Sequence, residues 1–394
     1  MKSIVQSLGK GLHSRMRSAG FGASLVGLGL LGCASGPWPS TSNTEVVPLD
    51  HPTVAERVRT LEYQLEAGFR FVAFGDQRAM ADGEWQAMMR MIGELESPPP
   101  EPPILFVLDT GDIVQDGSHS DQFDMLRTIL SPASHLPYVL GVGNHEVSNN
   151  EPGPSRQNLI QFLAGTDLPV APDRLYYRLD LGPMRLICLD TNDLVYGPPG
   201  LDPGAPRAEA RVRRQMEWLE AELENDPSRP PLTVVSLHHP FVQTSKKHRA
   251  TAQGLWALEH DGRRLVDILA DGGVDVILAG HTHTYERFQL RREDGKTLRL
   301  VNLSGRPRNA FLWFGAGSRR PQNLTGETDW FARHGWDLGP WTITQEDVMG
   351  SPERNQFGLF TVGPRGELDL ELSFLGQDPP HAVETRPRIG LVKR

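Results

Sequence analysis

The chain has 394 residues, 38% hydrophobic and 23% charged, which excludes a wholly disordered chain and leaves room for one large α/β domain with extra segments. Its net charge of −9 and the lack of Lys/Arg clusters interleaved with aromatics disfavour a nucleic-acid partner. The two cysteines, Cys33 and Cys188, imply no disulfide framework, and Cys188 in the apolar run Met184 to Leu189 reads as a small buried hydrophobe.

Residues 1–32 carry Lys2, Lys10, Arg15 and Arg17 and no acidic residue. An apolar stretch from Phe21 to Leu31 follows the basic region and ends at Gly32-Cys33. That layout predicts an export signal rather than a transmembrane helix, because the stretch is too short to span a bilayer. Leu30-Leu31-Gly32-Cys33 resembles the bacterial lipobox, which implies lipidation at Cys33 and a membrane-tethered lipoprotein on the periplasmic or cell-surface side, in the outer membrane if one is present. Residues 33–51 begin with a run rich in Pro, Ser and Gly and are expected to form a flexible tether. Residues 52–394 are expected to form one folded domain.

Within it, Val54, Val58, Leu61 and Leu65 predict a helix between Pro52 and Ala67. Phe69 to Phe74 reads as a strand stopping at Gly75-Asp76. A helix near Glu84 to Leu95 and a Pro-rich break precede a second strand, Ile104 to Leu108, which stops at Thr110-Gly111-Asp112. A helix near Gln122 to Leu130 and a strand Tyr138 to Val142 lead to Gly143-Asn144-His145-Glu146. This β-α-β-α-β order, with nearly continuous apolar strands, predicts buried parallel pairing with working residues past the strand carboxyl ends. Tyr176 to Leu181 and Met184 to Leu189 read as a hairpin, and Ala208 to Glu224 as an amphipathic helix. The strand Leu232 to Leu237 leads to His238-His239, and Val274 to Leu278 to Gly280-His281-Thr282-His283. From Phe288 onward the pattern is antiparallel β. Ser318 to Asn355 reads as a long polar loop carrying Trp330, Trp336 and Trp341, either a lid or a place of surface packing.

A strand-end Gly-Asp is by itself a common turn. Five polar motifs in order at strand ends are not explained that way. The set Gly75-Asp76, Gly111-Asp112, Gly143-Asn144-His145-Glu146, His238 and Gly280-His281-Thr282-His283 resembles the calcineurin-like metallophosphoesterases. The run Gly280 to Arg287 and the Gly-Asn-His-Glu spelling are similar to the purple-acid-phosphatase branch, and Phe314-Gly315-Ala316-Gly317-Ser318 resembles that family's late glycine-rich strand end. The resemblance implies a four-layer αββα sandwich with two mixed sheets and a dinuclear metal site at the carboxyl ends of the strands. It also implies a metal-dependent phosphoester hydrolase acting on a small phosphorylated substrate outside the cytoplasm.

Carried over residue by residue, Asp112 bridges two ions. Asp76 and His283 complete the first site, and Asn144, His238 and His281 the second. The ions are divalent or trivalent Mn, Fe, Zn or Co, which suit oxygen and imidazole donors. His145 is expected to protonate the leaving group or to hydrogen-bond a phosphoryl oxygen. His239 receives no role, since strand alternation would point it away. Two departures stand out. Arg78 occupies a place where many relatives have a ligating histidine, and Gln115 the place of the purple enzymes' tyrosine. Arg78 is therefore expected to bind substrate phosphate, or else to pair with an acid such as Asp109. Other functions open to such a chain are a non-catalytic surface binding protein on the same fold and a nucleotidase of the same superfamily.

Overall fold

The computed structural model describes residues 45–393 apart from 66, 80–82, 96–100, 198–205, 225–226, 306–320, 325–326, 328, 350–354 and 376–382. The export signal, Cys33 and the run Phe314 to Ser318 lie outside the described residues. Residues 45–51 belong with the domain rather than with a tether: Val46 and Leu49 are buried in its core, and the Leu49 amide donates to the Phe162 carbonyl at 2.8 Å.

The first sheet is built on the β-α alternation read in the sequence. α1 (Val54–Leu65), β1 (Phe69–Phe74), α2 (Glu84–Gly93), β2 (Ile104–Asp109), α3 (Ser120–Leu130), β3 (Tyr138–Leu140) and α4 (Ser155–Leu163) follow in order. β1, β2 and β3 pair parallel and are buried throughout, which is why they read as continuous apolar runs rather than alternating ones. The chain then leaves to build the second sheet. It consists of β4 (Tyr177–Leu181), β5 (Met184–Cys188), β6 (Leu232–Leu237), β9 (Val276–Ala279), β10 (Tyr285–Arg292), β11 (Thr297–Leu303) and β12 (Trp341–Met349), in the order β12-β10-β11-β9-β6-β5-β4. Between its strands lie α5 (Thr191–Tyr196), α6 (Pro206–Leu223), α7 (Arg249–Trp256) and α8 (Leu265–Asp271), with a short β7–β8 ribbon (Glu259–His260, Arg263–Arg264). Finally β13 (Gln356–Val362) returns antiparallel to β1, and β14 (Leu368–Leu375) carries β15 (Val383–Thr385) and β16 (Ile389–Val392) at that edge. Phe106, Phe71 and Phe360 stack across β2, β1 and β13 with centroids 5.1 and 4.8 Å apart, tying the returning strand to the parallel core.

Side-chain alternation divides the second sheet between two cores. Leu186, Val234, Val276, Leu278 and Val301 join the core that contains the first sheet and α2–α4, whereas Ile187, Val235, Leu237, Ile277 and Leu300 join the core filled by α6–α8. The layers are thus helices, sheet, sheet, helices, the expected four-layer α/β sandwich with two mixed sheets.

The long Ser318 to Asn355 segment is not a loop throughout. It holds α9 (Trp330–Arg333) and the edge strand β12, and Trp330, Trp336 and Trp341 are buried in the second core. Trp341 and Ile343 point inward while Thr342 and Thr344 face out. That alternation is only four residues long before Gln345-Glu346-Asp347 hides it, so composition alone read the stretch as irregular.

Candidate metal centre

Five strands from both sheets end at one place. Asp76 follows β1, Asp112 follows β2, Asn144 and His145 follow β3, His238 follows β6, and His281 and His283 follow β9. The turns that carry them are tight. Asp76, Arg78, Asp112, His281 and His283 all have left-handed backbone, with φ of 61, 50, 62, 70 and 54°. Such conformations are uncommon for residues with a side chain and persist where the surroundings over-determine them. Here backbone bonds lace the first two turns together: Asp76 N–H donates to the Gly111 carbonyl at 2.8 Å, Arg78 N–H to Asp112 at 2.9 Å and Ala79 N–H to Ile113 at 2.7 Å.

The best-defined group is Asp112, Asn144, His238 and His281. His238 Nδ1 faces the Thr110 carbonyl at 2.9 Å, and a carbonyl only accepts, so Nδ1 carries the proton and Nε2 presents a lone pair. Asn144 donates its amide N–H to Asn149 Oδ1 at 2.8 Å, which turns Asn144 Oδ1 inward. Around His238 Nε2 lie Asn144 Oδ1 at 3.1 Å, His281 Nδ1 at 3.2 Å and Asp112 Oδ1 at 3.3 Å. Lone pairs of two imidazoles, an amide and a carboxylate therefore converge with a total need for positive charge. His281 Nε2 is buried with no hydrogen-bond partner among the described residues. Burial and the neighbouring imidazoles, His248 first, hold His281 well below the ordinary histidine value, so it is neutral and able to ligate. This group fits a borderline or hard metal ion, and no thiolate is offered.

The second group is Asp76, Asp112 and His283, whose ligand atoms lie within 4.8 Å of one another. Asp112 spans both groups, as a bridging residue must. Burial works to raise its carboxyl, but neighbouring positive charge, with the Arg78 guanidinium at 2.9 Å, outweighs it and holds it well below the usual carboxylate range. Asp76 is pushed up to about 6, chiefly by burial, even though its oxygens accept from Ser304 Oγ and, at 3.0 Å, from His281 N–H. Arg78 enters this group: its Nη2 lies 2.9 Å from Asp112 Oδ2 and 3.2 Å from His283 Nε2. The expected pairing of Arg78 with a nearby acid is therefore met, with Asp112 as the acid in place of Asp109. Asp109 is occupied by the Gly111 amide at 2.9 Å and the Tyr138 hydroxyl at 2.7 Å.

His145 stands at the rim. Its Nδ1 faces the Gln115 carbonyl, its amide donates to Asp112 Oδ1 at 3.0 Å, and its Nε2 is 3.8 Å from Asp112 Oδ2 with the side chain 21% exposed. Gln115 Oε1 is 3.4 Å from Arg78 Nη1.

Three neighbours were not assigned from the sequence. Glu146, quoted within its motif, accepts backbone N–H bonds from Asp112, Ile113, Val114 and Gly143, so it pins the second turn to the third. His239 does not point away: β6 stops at Leu237, so strand alternation no longer applies, and its ring lies 4.3 Å from His281. Its ring nitrogens face the Thr191 hydroxyl at 2.8 Å and the Tyr196 hydroxyl at 3.3 Å. His248 meets His281 edge-on, ring centroids 4.1 Å apart, from the turn before α7, where no spacing rule would have marked it.

A four-layer fold with paired cation groups at the strand ends defines the class of metallophosphoesterases. The family model described as calcineurin-like phosphoesterase matches residues 69–285, more than half of the chain, and the chain belongs to that family. Membership implies a dinuclear divalent metal centre. Among named relatives, human acid phosphatase type 7 is 30% identical over 201 residues, 46% of this chain and 40% of that protein. Purple acid phosphatase 21 of Arabidopsis thaliana is 26% identical over 184 residues, 45% of this chain and 38% of that one, and a probable inactive purple acid phosphatase 9 from the same plant is 26% identical over 249 residues. The chain spans a third to two fifths of the length of these relatives. The solved purple acid phosphatase PPD1 of yellow lupin superposes with a TM-score of 0.50 at 20% identity, over 78% of this chain and 51% of that one, a likeness of fold.

Proposed function

We propose that the chain is a metal-dependent phosphoester hydrolase acting on a small phosphorylated substrate, with water as the nucleophile. The observation that carries this reading is the convergence of Asp112 Oδ1, Asn144 Oδ1, His238 Nε2 and His281 Nδ1, which a metal ion satisfies. Bound there, an ion supplies positive charge to phosphoryl oxygens and acidifies water. The chain's own residues do the rest. Asn149, which accepts from the Asn144 amide, and the His145 amide, which donates to Asp112 Oδ1, hold these two ligands in orientation. His145, oriented by the Gln115 carbonyl, is placed to give a proton to the departing oxygen as the P–O bond breaks, so that an alcohol leaves rather than an alkoxide. A screen of phosphomonoesters, phosphodiesters and nucleotides with added Mn, Fe, Zn or Co tests the reading and finds the leaving group. Turnover of at least one class supports it, whereas bound metal with no turnover of any class favours a binding protein on the same fold.

We also propose that the chain is exported and tethered through Cys33, supported by the basic, apolar and Gly32-Cys33 order of its first residues. Cys33→Ala is expected to leave the membrane fraction or to remain unprocessed. Identical fractionation of both proteins as soluble material contradicts the tether.

A further inference from the structure

The group formed by Asp76, Asp112 and His283 already holds a cation, and it belongs to the chain. Arg78 is anchored at its root by its amide bond to the Asp112 carbonyl at 2.9 Å and by left-handed backbone, φ 50°. From that root the side chain reaches into the group, with Nη2 2.9 Å from Asp112 Oδ2 and 3.2 Å from His283 Nε2. Asp112 and His283 are two of the three residues the group could offer an ion. A guanidinium has N–H bonds to donate but no lone pair to give, so it cannot be a ligand. It can stand in for one, by bridging an anionic oxygen and an imidazole lone pair as a metal would. The Asp112 side chain is fully buried and that of Arg78 is 11% exposed, so the contact is little screened by water. An ion seated between the same two atoms would collide with the guanidinium and be repelled by it. The other group differs, since only lone pairs converge there.

We infer that Arg78 replaces the first metal ion, so that this chain binds one ion, in the Asp112–Asn144–His238–His281 group, and carries the second positive charge of the site as a guanidinium. The inference rests on the reading of that group as a metal site. It also gives the site a fixed cation whose planar fork matches two phosphoryl oxygens, in keeping with phosphate binding by Arg78.

The test is metal stoichiometry on the folded chain, stripped of metal and reloaded with Mn²⁺, read by elemental analysis and by electron paramagnetic resonance. Wild type is expected to bind one Mn²⁺ per chain with the signal of an isolated ion. Arg78→His, which restores a ligating side chain of a type that tolerates left-handed backbone, is expected to bind two ions with a spin-coupled signal. Arg78→Ala serves if the histidine variant misfolds, and is expected to take a second, weaker ion. Two coupled ions in the wild type overturn the inference while leaving metal-dependent hydrolysis intact. A folded Arg78→His or Arg78→Ala chain that still binds one ion also overturns it, because the guanidinium would then not be what excludes the other. A wild type that binds none overturns the metal reading beneath it.

Discussion

Asp112 commits its two carboxylate oxygens in different directions, Oδ1 to the His145 amide and His238 and Oδ2 to Arg78. What holds Asp112 in a left-handed turn is Glu146, which takes four backbone N–H bonds of 2.6 to 3.2 Å. Replacing it strands those buried donors, each at about 1–3 kcal/mol. Glu146→Ala is therefore expected to lower unfolding stability by more than about 3 kcal/mol in denaturant titration; a change under about 1 kcal/mol would mean that water replaces the carboxylate. His145 has a separate signature. If its proton eases departure of the leaving group, His145→Ala should slow alkyl phosphates by roughly 10²-fold or more and p-nitrophenyl phosphate much less. Equal losses on both would reduce His145 to a positioning role. At this scale the ligand types could be read in order along the chain, because each follows a strand end. Glu146's work could not, since its partners come from two turns more than thirty residues apart.

Turns and strand ends act as units here. Gly111, at φ 105°, brings its turn so close to the next that an added Cβ would lie 2.4 Å from the Gly143 amide nitrogen. Gly111→Ala is thus expected to displace Asp112 and abolish metal binding, and unchanged metal content would contradict the lacing of the two turns. On β10, Glu286 is fully buried and pushed up to about 7 from an ordinary 4.5, by burial first and against hydrogen bonds from Thr244, Thr284 and Gln345. The folded state then holds this proton more tightly than the unfolded chain. Stability falls as pH rises from about 4.5 to about 7, by at most about 3 kcal/mol. Relative to wild type, Glu286→Gln should gain stability across that window, and parallel pH profiles would refute the shift. The helices were legible because their burial is local and periodic, and the parallel strands because theirs is local and unbroken. The return of β13 to β1 was not, because nothing in a strand's own pattern names a partner almost three hundred residues away.

The whole molecule is needed for the centre: β1, β2 and β3 of one sheet and β6 and β9 of the other each deliver a residue to it. An ion that binds only the docked sheets stabilises the fold by RT ln(1 + [L]/Kd), about 2.7 kcal/mol at a hundredfold excess over Kd. Mn²⁺ or Zn²⁺ should accordingly raise the melting temperature of the wild type by several degrees and leave His281→Ala nearly unmoved, as read by differential scanning calorimetry. The four-layer class was foreseeable through the family resemblance that the ordered strand-end motifs carry. The occupation of one cation group by Arg78 was foreseeable only as a departure, since which acid the guanidinium meets depends on how two turns fold. The most direct measurement of the central claim is the rate of hydrolysis of a chromogenic phosphoester by the chain before metal removal, after chelation and dialysis, and after metal is restored. The rate should be lost on stripping and recovered on re-addition, with Asn144→Ala recovering little of it; a stripped protein that hydrolyses at the original rate would contradict metal-dependent catalysis at this site.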